Sequence, residues 1–284
     1  MSQLARRSFL KTAGLFSLAP LALSQAGCAH VTPPNIAGGM QFDDPQHNLD
    51  ALIRLRGGTD NVARYTIGTG RAFAVFEDEI AIPLFDAKAV QWERNERLDD
   101  GSYKRQNAFV QYHYNLDGSS ADDWTNPITS EKVSLPVFKN EFGEVTFTTR
   151  GAITPPEMQV TTLEGDEERI YPWIVIGDDV WLPKDEMARY YSAREERFLI
   201  ENSTRTYHAS MTQLNDLSLP SVESNMVESA ISQLFSFLNI PKEKSGFMLW
   251  RFVAKKVGDP ENLPSDIRRE IDEKTPELWN TSAS

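Results

Sequence analysis

The feature that most constrains this chain is a succession of short β-like runs between residues 48 and 213, each broken by turn residues. The runs collect apolar or alternating side chains over about four to eight residues, with glycine, aspartate or proline between them. They cover residues 71–76, 80–85, 133–139, 144–150, 158–163, 170–176, 180–182 and 204–211. Many strands joined by short polar turns predict an antiparallel sheet that is closed or nearly closed into a barrel.

Helical periodicity occurs only near the C-terminus. An apolar stripe over residues 222–238, flanked by prolines on both sides, predicts a helix packed on the sheet. A second, short helix is predicted over about residues 264–274, with Ile267 and Ile271 facing inward. The predicted fold class is therefore mainly β within α+β: an antiparallel, barrel-like sheet of the lipocalin or calycin type with C-terminal helices packed on it.

The first 27 residues predict an export signal. A basic segment is followed by a short, weakly apolar stretch and then by small residues, which is the order of a removable signal peptide. The segment resembles the bacterial twin-arginine signal, and the matching residues are Arg6, Arg7, Phe9, Leu10 and Lys11. We therefore expect the twin-arginine translocase as a partner and a periplasmic location.

Cys28 is the only cysteine of the chain, so that no disulfide can form within one molecule. Its position directly after the signal leaves two outcomes open: cleavage before Cys28 with lipidation of its sulfur, or ordinary cleavage after Ala26 or Ala29. Residues 28–45 are predicted to be a flexible tether, and residues 46–284 a single β-rich domain. Membrane contact is expected only through a lipid on Cys28.

The charge of the chain excludes one class of partner. Its formal net charge is −12, and loss of the signal with its three basic residues would leave −15. A surface this acidic argues against binding to a nucleic-acid backbone and would also be repelled by anionic lipid. With 40% hydrophobic residues, the composition is that of an ordinary globular protein.

The motifs of several common enzyme classes do not occur. The chain lacks G-x-S-x-G, H-E-x-x-H, a Walker A loop and C-x-x-C. After loss of the signal, His47, His113 and His208 remain, and no pair among them has the spacing of metal ligands. We therefore predict no metal site and no cofactor, and the sequence leaves open whether the protein is an enzyme.

A predicted hairpin over residues 87–114 has the clearest functional pattern. Residues 99–102 form its tip, because Asp-Gly favours a tight two-residue turn. With that turn, one face of the hairpin combines aromatic, charged and polar side chains: Trp92, Arg94, Glu96, Arg105, Phe109 and Gln111. Inside a barrel this face would bind an amphiphilic or aromatic molecule. Outside, it would be a solvated surface on which Glu96 and Arg105 form a weak ion pair.

Two histidines are the candidate catalytic residues. His113 lies on the same predicted hairpin face, and His208 lies on the strand predicted over residues 204–211. Histidine is the side chain whose ordinary pKa lies nearest to neutrality, which suits it to proton transfer.

Two blocks of sequence resemble the bacterial and fungal family named domain of unknown function 1838. The first block comprises residues 52–57, 60–65, 70–74 and 83–85, and the second comprises residues 245–251, 255–257, 262–264 and 275–277. The resemblance spans most of the chain after the signal. It implies one extracytoplasmic domain and carries no activity with it.

The leading function hypothesis is an exported β-barrel-like domain that binds a small amphiphilic or aromatic molecule. Two alternatives remain. The first is a cofactor-independent lyase, isomerase or hydrolase acting in the same cavity, and the second is an envelope interaction protein with no small-molecule site.

Overall fold

The computed structural model describes residues 35, 37–77, 79–140, 144–241 and 243–279. All of them fall within one unit of the chain, Thr32–Ser284. The predicted signal peptide, Cys28 and the first part of the predicted tether lie outside the described residues. No helix within the described ranges is long and apolar enough to cross a membrane.

Strands make up most of the described chain. Helix α1 (Pro45–Arg56) is followed by β1 (Arg64–Phe76), β2 (Ile82–Arg97), β3 (Tyr103–Tyr114), β4 (Trp124–Thr125), β5 (Lys132–Val133), β6 (Phe138–Asn140), β7 (Val145–Thr148) and β8 (Gly151–Ile153). Next come β9 (Met158–Val160), β10 (Ile174–Ile176), β11 (Asp179–Ser192), β12 (Arg197–Ser210), α2 (Met211–Asn215), β13 (Asn225–Gln233), β14 (Gly246–Gly258) and α3 (Ser265–Lys274). Short 3₁₀ turns cover Ser236–Leu238 and Pro260–Asn262.

Twelve of the described strands form one antiparallel sheet. Ten of them follow the order β10-β11-β12-β13-β14-β1-β2-β3-β7-β8, while β6 pairs with β3 and β9 with β11. The sheet curls into a half-barrel, so the predicted antiparallel, barrel-like fold is confirmed. Residues 158–164 connect its two edges: the Thr161 amide donates to the Met187 carbonyl at 2.9 Å, and the Ala152 amide donates to the Thr162 carbonyl at 2.6 Å.

Helix α1 packs against both ends of the strand order. On one side, Leu52 and Leu55 join a cluster that includes Leu182 of β11 and Tyr207 of β12. On the other side, Leu49 and Ile53 pack with Tyr103 of β3 and Phe147 of β7. Burial of both apolar sides stabilises the helix in the mouth of the curled sheet.

The sequence analysis did not predict α1, although its start and stop signals are present. The Asp44 carboxylate accepts a hydrogen bond from the His47 amide at 2.8 Å, and Pro45 occupies the first turn. At the other end, the Gly57 amide donates to the Ile53 carbonyl at 2.9 Å. These are the residue types that favour the two ends of a helix.

Helix α3 packs on the outer face of the sheet and confirms the second predicted helix. Ile267 and Ile271 are fully buried and contact a cluster that contains Trp92 of β2 and Tyr112 of β3. This face of β2 and β3 therefore belongs to the hydrophobic core rather than to a barrel interior.

The prediction of a helix over residues 222–238 is wrong, because this segment forms strand β13 and a 3₁₀ turn. Glu228 and Ser232 face inward along β13, whereas Val227 and Ile231 face outward and are exposed. Since both faces of β13 mix apolar and polar side chains, the apolar side chains do not follow the alternation that usually marks a strand.

The predicted hairpin is present as β2 and β3, but its predicted register is wrong by one residue. Asn95 pairs with Arg105 and Trp92 with Ala108, so Glu96 lies beside Lys104 rather than opposite Arg105. The loop has three residues, Asp99 to Gly101: the Gly101 amide donates to the Leu98 carbonyl at 3.0 Å, and Gly101 has a φ of 84°. A type I turn followed by a left-handed glycine is the common three-residue hairpin, and a one-residue slip moves each side chain of one strand to the opposite face.

Candidate functional site

The concave face of the half-barrel encloses a cavity of about 630 Å³. Strands β1, β2, β3, β11, β12, β13 and β14 all contribute inward-facing side chains to its lining. Gly68 of β1, Ala89 of β2 and Ala254 of β14 keep space open, because their side chains are small or absent.

One side of the cavity is an aromatic wall, formed by Phe109, Phe138, Phe235, Trp250 and Phe252. Phe138 and Phe235 have ring centroids 5.4 Å apart, and Trp250 and Phe252 stack at 6.1 Å. The Phe252 ring packs directly on Gly70, where a Cβ would approach the Phe252 Cγ to 2.6 Å. The absence of a side chain at Gly70 therefore leaves the space that this ring occupies.

A first group of charges, the β3 charge cluster, consists of Arg56, Glu93 and Arg105. Arg56 Nη2 lies 3.1 Å from Glu93 Oε2, and Arg105 Nη1 lies 3.7 Å from the same oxygen. Phe147 packs under both guanidinium groups, at 5.4 Å from Arg56 and 5.0 Å from Arg105. Arg56 ends α1, so this cluster ties the helix to the sheet.

The β3 charge cluster shifts the pKa of each of its members. Burial acts to lower the pKa of Arg56, but the charge of Glu93 outweighs it and raises the pKa. Burial acts to raise the pKa of Glu93, but the charges of Arg56 and Arg105 outweigh it and lower the pKa. Burial, together with the adjacent charge of Arg56, lowers the pKa of Arg105 to about 10. At neutral pH all three groups are therefore charged.

A second group, the β12 charge cluster, surrounds Arg205 and consists of Lys184, Glu186, Glu201, Arg205 and Glu228. Arg205 Nε donates to Glu228 Oε1 at 2.7 Å, and its other nitrogens lie 3.6 Å from Glu186 and 3.7 Å from Glu201. Lys184 Nζ donates to Glu186 Oε2 at 2.8 Å. Burial acts to raise the pKa of Glu186, but the charges of Lys184 and Arg205 lower it strongly.

Glu201 differs from the other carboxylates of the β12 charge cluster. Burial is the main cause that raises the pKa of Glu201 to about 7; the charge of Arg205 opposes it, and the charges of Glu228 and Glu186 add to it. Its side chain is 27% exposed and lines the cavity. Glu201 therefore presents to the cavity a carboxyl group whose pKa lies near neutral pH.

The structure separates the six predicted ligand-binding residues into two sets. Arg105, Phe109 and Gln111 line the cavity. Trp92, Arg94 and Glu96 lie on the opposite face, because of the register. There Trp92 packs under α3, Arg94 donates to the Gln106 side chain and Glu96 is exposed.

The two predicted catalytic histidines lie in different places. His113 is buried between the rings of Phe85 and Phe138, each with its centroid 4.8 Å away, and burial lowers its pKa to about 4. Its ring is therefore neutral at pH 7. His208 lies on the outer face, where Nε2 is 2.7 Å from Asp179 Oδ1 and the ring packs on Trp181.

The sequence analysis missed Arg56 and the β12 charge cluster. Glu201 and Arg205 are four positions apart on one strand and so lie on the same face, and this even spacing of charges is the signal that could have indicated charged groups on the inner face. Among the described residues, no group of three or more His, Cys, Asp and Glu side chains is arranged to hold a metal ion.

We expect Glu93→Gln to lower the free energy of unfolding by about 3 to 5 kcal/mol, because it leaves the guanidinium groups of Arg56 and Arg105 buried without a carboxylate. The control is Glu96→Gln, the same change at an exposed position of the same strand, which should cost no more than about 0.5 kcal/mol. Urea unfolding of both variants at pH 7 measures the difference. Equal losses of unfolding free energy in the two variants would contradict the observed register.

We expect the stability gained by Glu201→Gln to depend on pH. The folded-state pKa of about 7 exceeds the ordinary value of 4.5, so the native state holds this proton more tightly than the unfolded state. Ionisation of Glu201 therefore destabilises wild type increasingly between pH 4.5 and 7. The difference between variant and wild type should rise by about 1 to 3 kcal/mol from pH 5 to pH 8. A difference that stays flat, as Glu96→Gln should give, would refute the raised pKa.

Comparison with known protein families places this fold in a group without an assigned activity. The family described as "Protein of unknown function (DUF1838)" matches residues 63–284. No curated protein shows a significant match to the chain. The match begins just before β1, so it includes Glu93, Arg105 and the β12 charge cluster but not Arg56 of α1. Since the matched residues make up most of the chain, the chain belongs to the DUF1838 family.

Proposed function

We propose that this protein binds a small amphiphilic or aromatic molecule in the cavity of the half-barrel. The observation that carries the proposal is the composition of the lining, where the aromatic wall meets buried charged groups within one cavity of about 630 Å³. Ligand sites are typically apolar cavities of this size with a few fixed polar groups. Interiors that serve only stability leave few voids larger than a water molecule.

The charged groups of the cavity suit orientation of such a ligand. The ion pairs at Glu93 and Arg205 hold their side chains in place before a ligand arrives. Fixed groups lower the entropic cost of binding, since they need not be ordered by the ligand. The aromatic wall would then contact the apolar part of the molecule.

The test uses N-phenyl-1-naphthylamine, a neutral aromatic dye whose fluorescence rises in an apolar site. We expect wild type to bind it and Ala254→Phe, which fills part of the cavity, to weaken binding at least tenfold. Val253→Phe is the matched control, because Val253 is the neighbouring residue of β14 and is 55% exposed. Its affinity should stay within about twofold of wild type. Failure of wild type to bind the dye, together with no co-purifying molecule in native mass spectrometry, would contradict the proposal.

A second candidate function is cofactor-independent catalysis in the same cavity. The observation that favours it is the carboxyl group of Glu201, whose pKa of about 7 suits a general acid or base at neutral pH. Turnover of a co-purified molecule by wild type, and its loss in Glu201→Gln, would distinguish an enzyme from a binding protein.

We also propose that the protein is exported through the twin-arginine route, on the pattern of residues 6–11. We expect Arg6→Lys with Arg7→Lys to leave the precursor in the cytoplasm, because the pattern requires guanidinium groups and not charge alone. A control with Arg251→Lys and Arg269→Lys in the mature chain should be exported normally. Periplasmic accumulation of the first variant would contradict this route, and the mass of the exported chain would decide whether Cys28 is lipidated.

A further inference from the structure

The β3 charge cluster contains two positive charges but only one negative charge. Arg56 and Arg105 share the single carboxylate of Glu93. Arg56 takes the closer contacts, with its Nη2 at 3.1 Å and its Nε at 3.3 Å from Oε2, whereas Arg105 approaches no nearer than 3.7 Å. Arg105 is therefore a buried cation whose charge is only partly compensated.

Polar atoms without partners occur at the same place. Arg105 Nε and both amide atoms of Asn107, Oδ1 and Nδ2, are buried and have no hydrogen-bond partner. Both residues line the cavity, and they are only 7% and 6% exposed. A buried polar group that stays unpaired costs about 1 to 3 kcal/mol, so the two N–H donors among these atoms, Arg105 Nε and Asn107 Nδ2, point to a ligand that accepts hydrogen bonds from this side of the cavity.

The positions of Arg105 and Asn107 suit one anionic group. They are two residues apart on β3, so both side chains project from the same face of the strand. A guanidinium N–H and an amide N–H directed to one place can each donate to one oxygen of a carboxylate. Phe147 covers one side of the Arg105 guanidinium and limits the access of water that would weaken this interaction.

Arg205, the buried arginine of the β12 charge cluster, does not suit an anion. Arg205 lies within 3.7 Å of three carboxylates, Glu186, Glu201 and Glu228. An anionic ligand at that position would meet like charges. Between the two buried charge clusters, a negative group is therefore favoured beside Arg105 rather than beside Arg205.

We propose that the molecule bound in the cavity is a carboxylic acid with an apolar or aromatic body, and that Arg105 and Asn107 bind its carboxylate. This inference rests on the proposed ligand-binding function. The apolar body extends along the aromatic wall, where Phe138 and Trp250 line the same cavity. The acid is bound as its anion, since the excess charge at Arg105 is positive.

The experiment measures displacement of N-phenyl-1-naphthylamine by decanoate and by decanol, which have equal chain lengths and differ in the head group. We expect wild type to bind decanoate at least tenfold more tightly than decanol at pH 7.5. In Arg105→Met and in Asn107→Leu this preference should fall to threefold or less, while affinity for decanol changes by no more than about twofold.

The matched control is Arg94→Met, which removes a guanidinium from the opposite face of the adjacent strand and should retain the full preference for decanoate. Equal binding of the acid and the alcohol by wild type would overturn the carboxylate assignment while leaving the proposed binding function intact. A preference that persists in Arg105→Met would overturn it as well. If Arg105→Met does not fold, the wild-type comparison and Asn107→Leu decide the question. Failure of wild type to bind the dye, together with no co-purifying molecule in native mass spectrometry, would instead refute the binding function itself.

Discussion

The buried charges on the inner face of the half-barrel must be paired, and much of the structure depends on this requirement. An isolated charge in such a place would cost more free energy than a single domain can supply. Glu93 of β2 compensates Arg56 of α1, and Glu228 of β13 compensates Arg205 of β12. Because the partners come from different elements, the charges pair only when the strands are in their observed register and α1 is in place.

Over β2 and β3, the outer face of the sheet is apolar and the inner face is charged, which is the reverse of the usual distribution. The outer face carries Val90, Trp92 and Tyr112, which form a core with α3. The inner face carries Glu93, Arg105 and Asn107, which border open space. A chain built for stability alone would put the apolar set inside and the charged set outside, so this arrangement favours a role for the cavity.

In the proposed site, the aromatic wall provides apolar contact area and the charge clusters provide selectivity. Stacked rings such as Trp250 and Phe252 provide apolar area without polar selectivity. Selectivity would come from the few polar groups whose pairing is incomplete, above all Arg105 and Asn107. Proton transfer, if a ligand requires it, would fall to Glu201, because the charged groups of the β3 charge cluster do not titrate near pH 7.

Local sequence determined the class of the fold and several of its elements. The turn residues and apolar runs sufficed for an antiparallel β architecture and for the hairpin predicted over residues 87–114, because these signals act over a few neighbouring residues. The amphipathic pattern sufficed for α3. Arg105, Phe109 and Gln111 were correctly grouped on one face of β3, since alternation along a single strand does not depend on its partner.

Tertiary structure decided the rest. The three-residue loop at Asp99 set the register and removed Trp92, Arg94 and Glu96 from the inner face, because a slip of one residue exchanges the two faces of a strand. Pairing with β12 and β14, rather than the helical spacing of its apolar residues, made a strand of the segment after residue 222. The approach of Arg56 and Arg205 to the same cavity joins residues about 150 positions apart in sequence, and only the curling of the sheet brings such distant charges together.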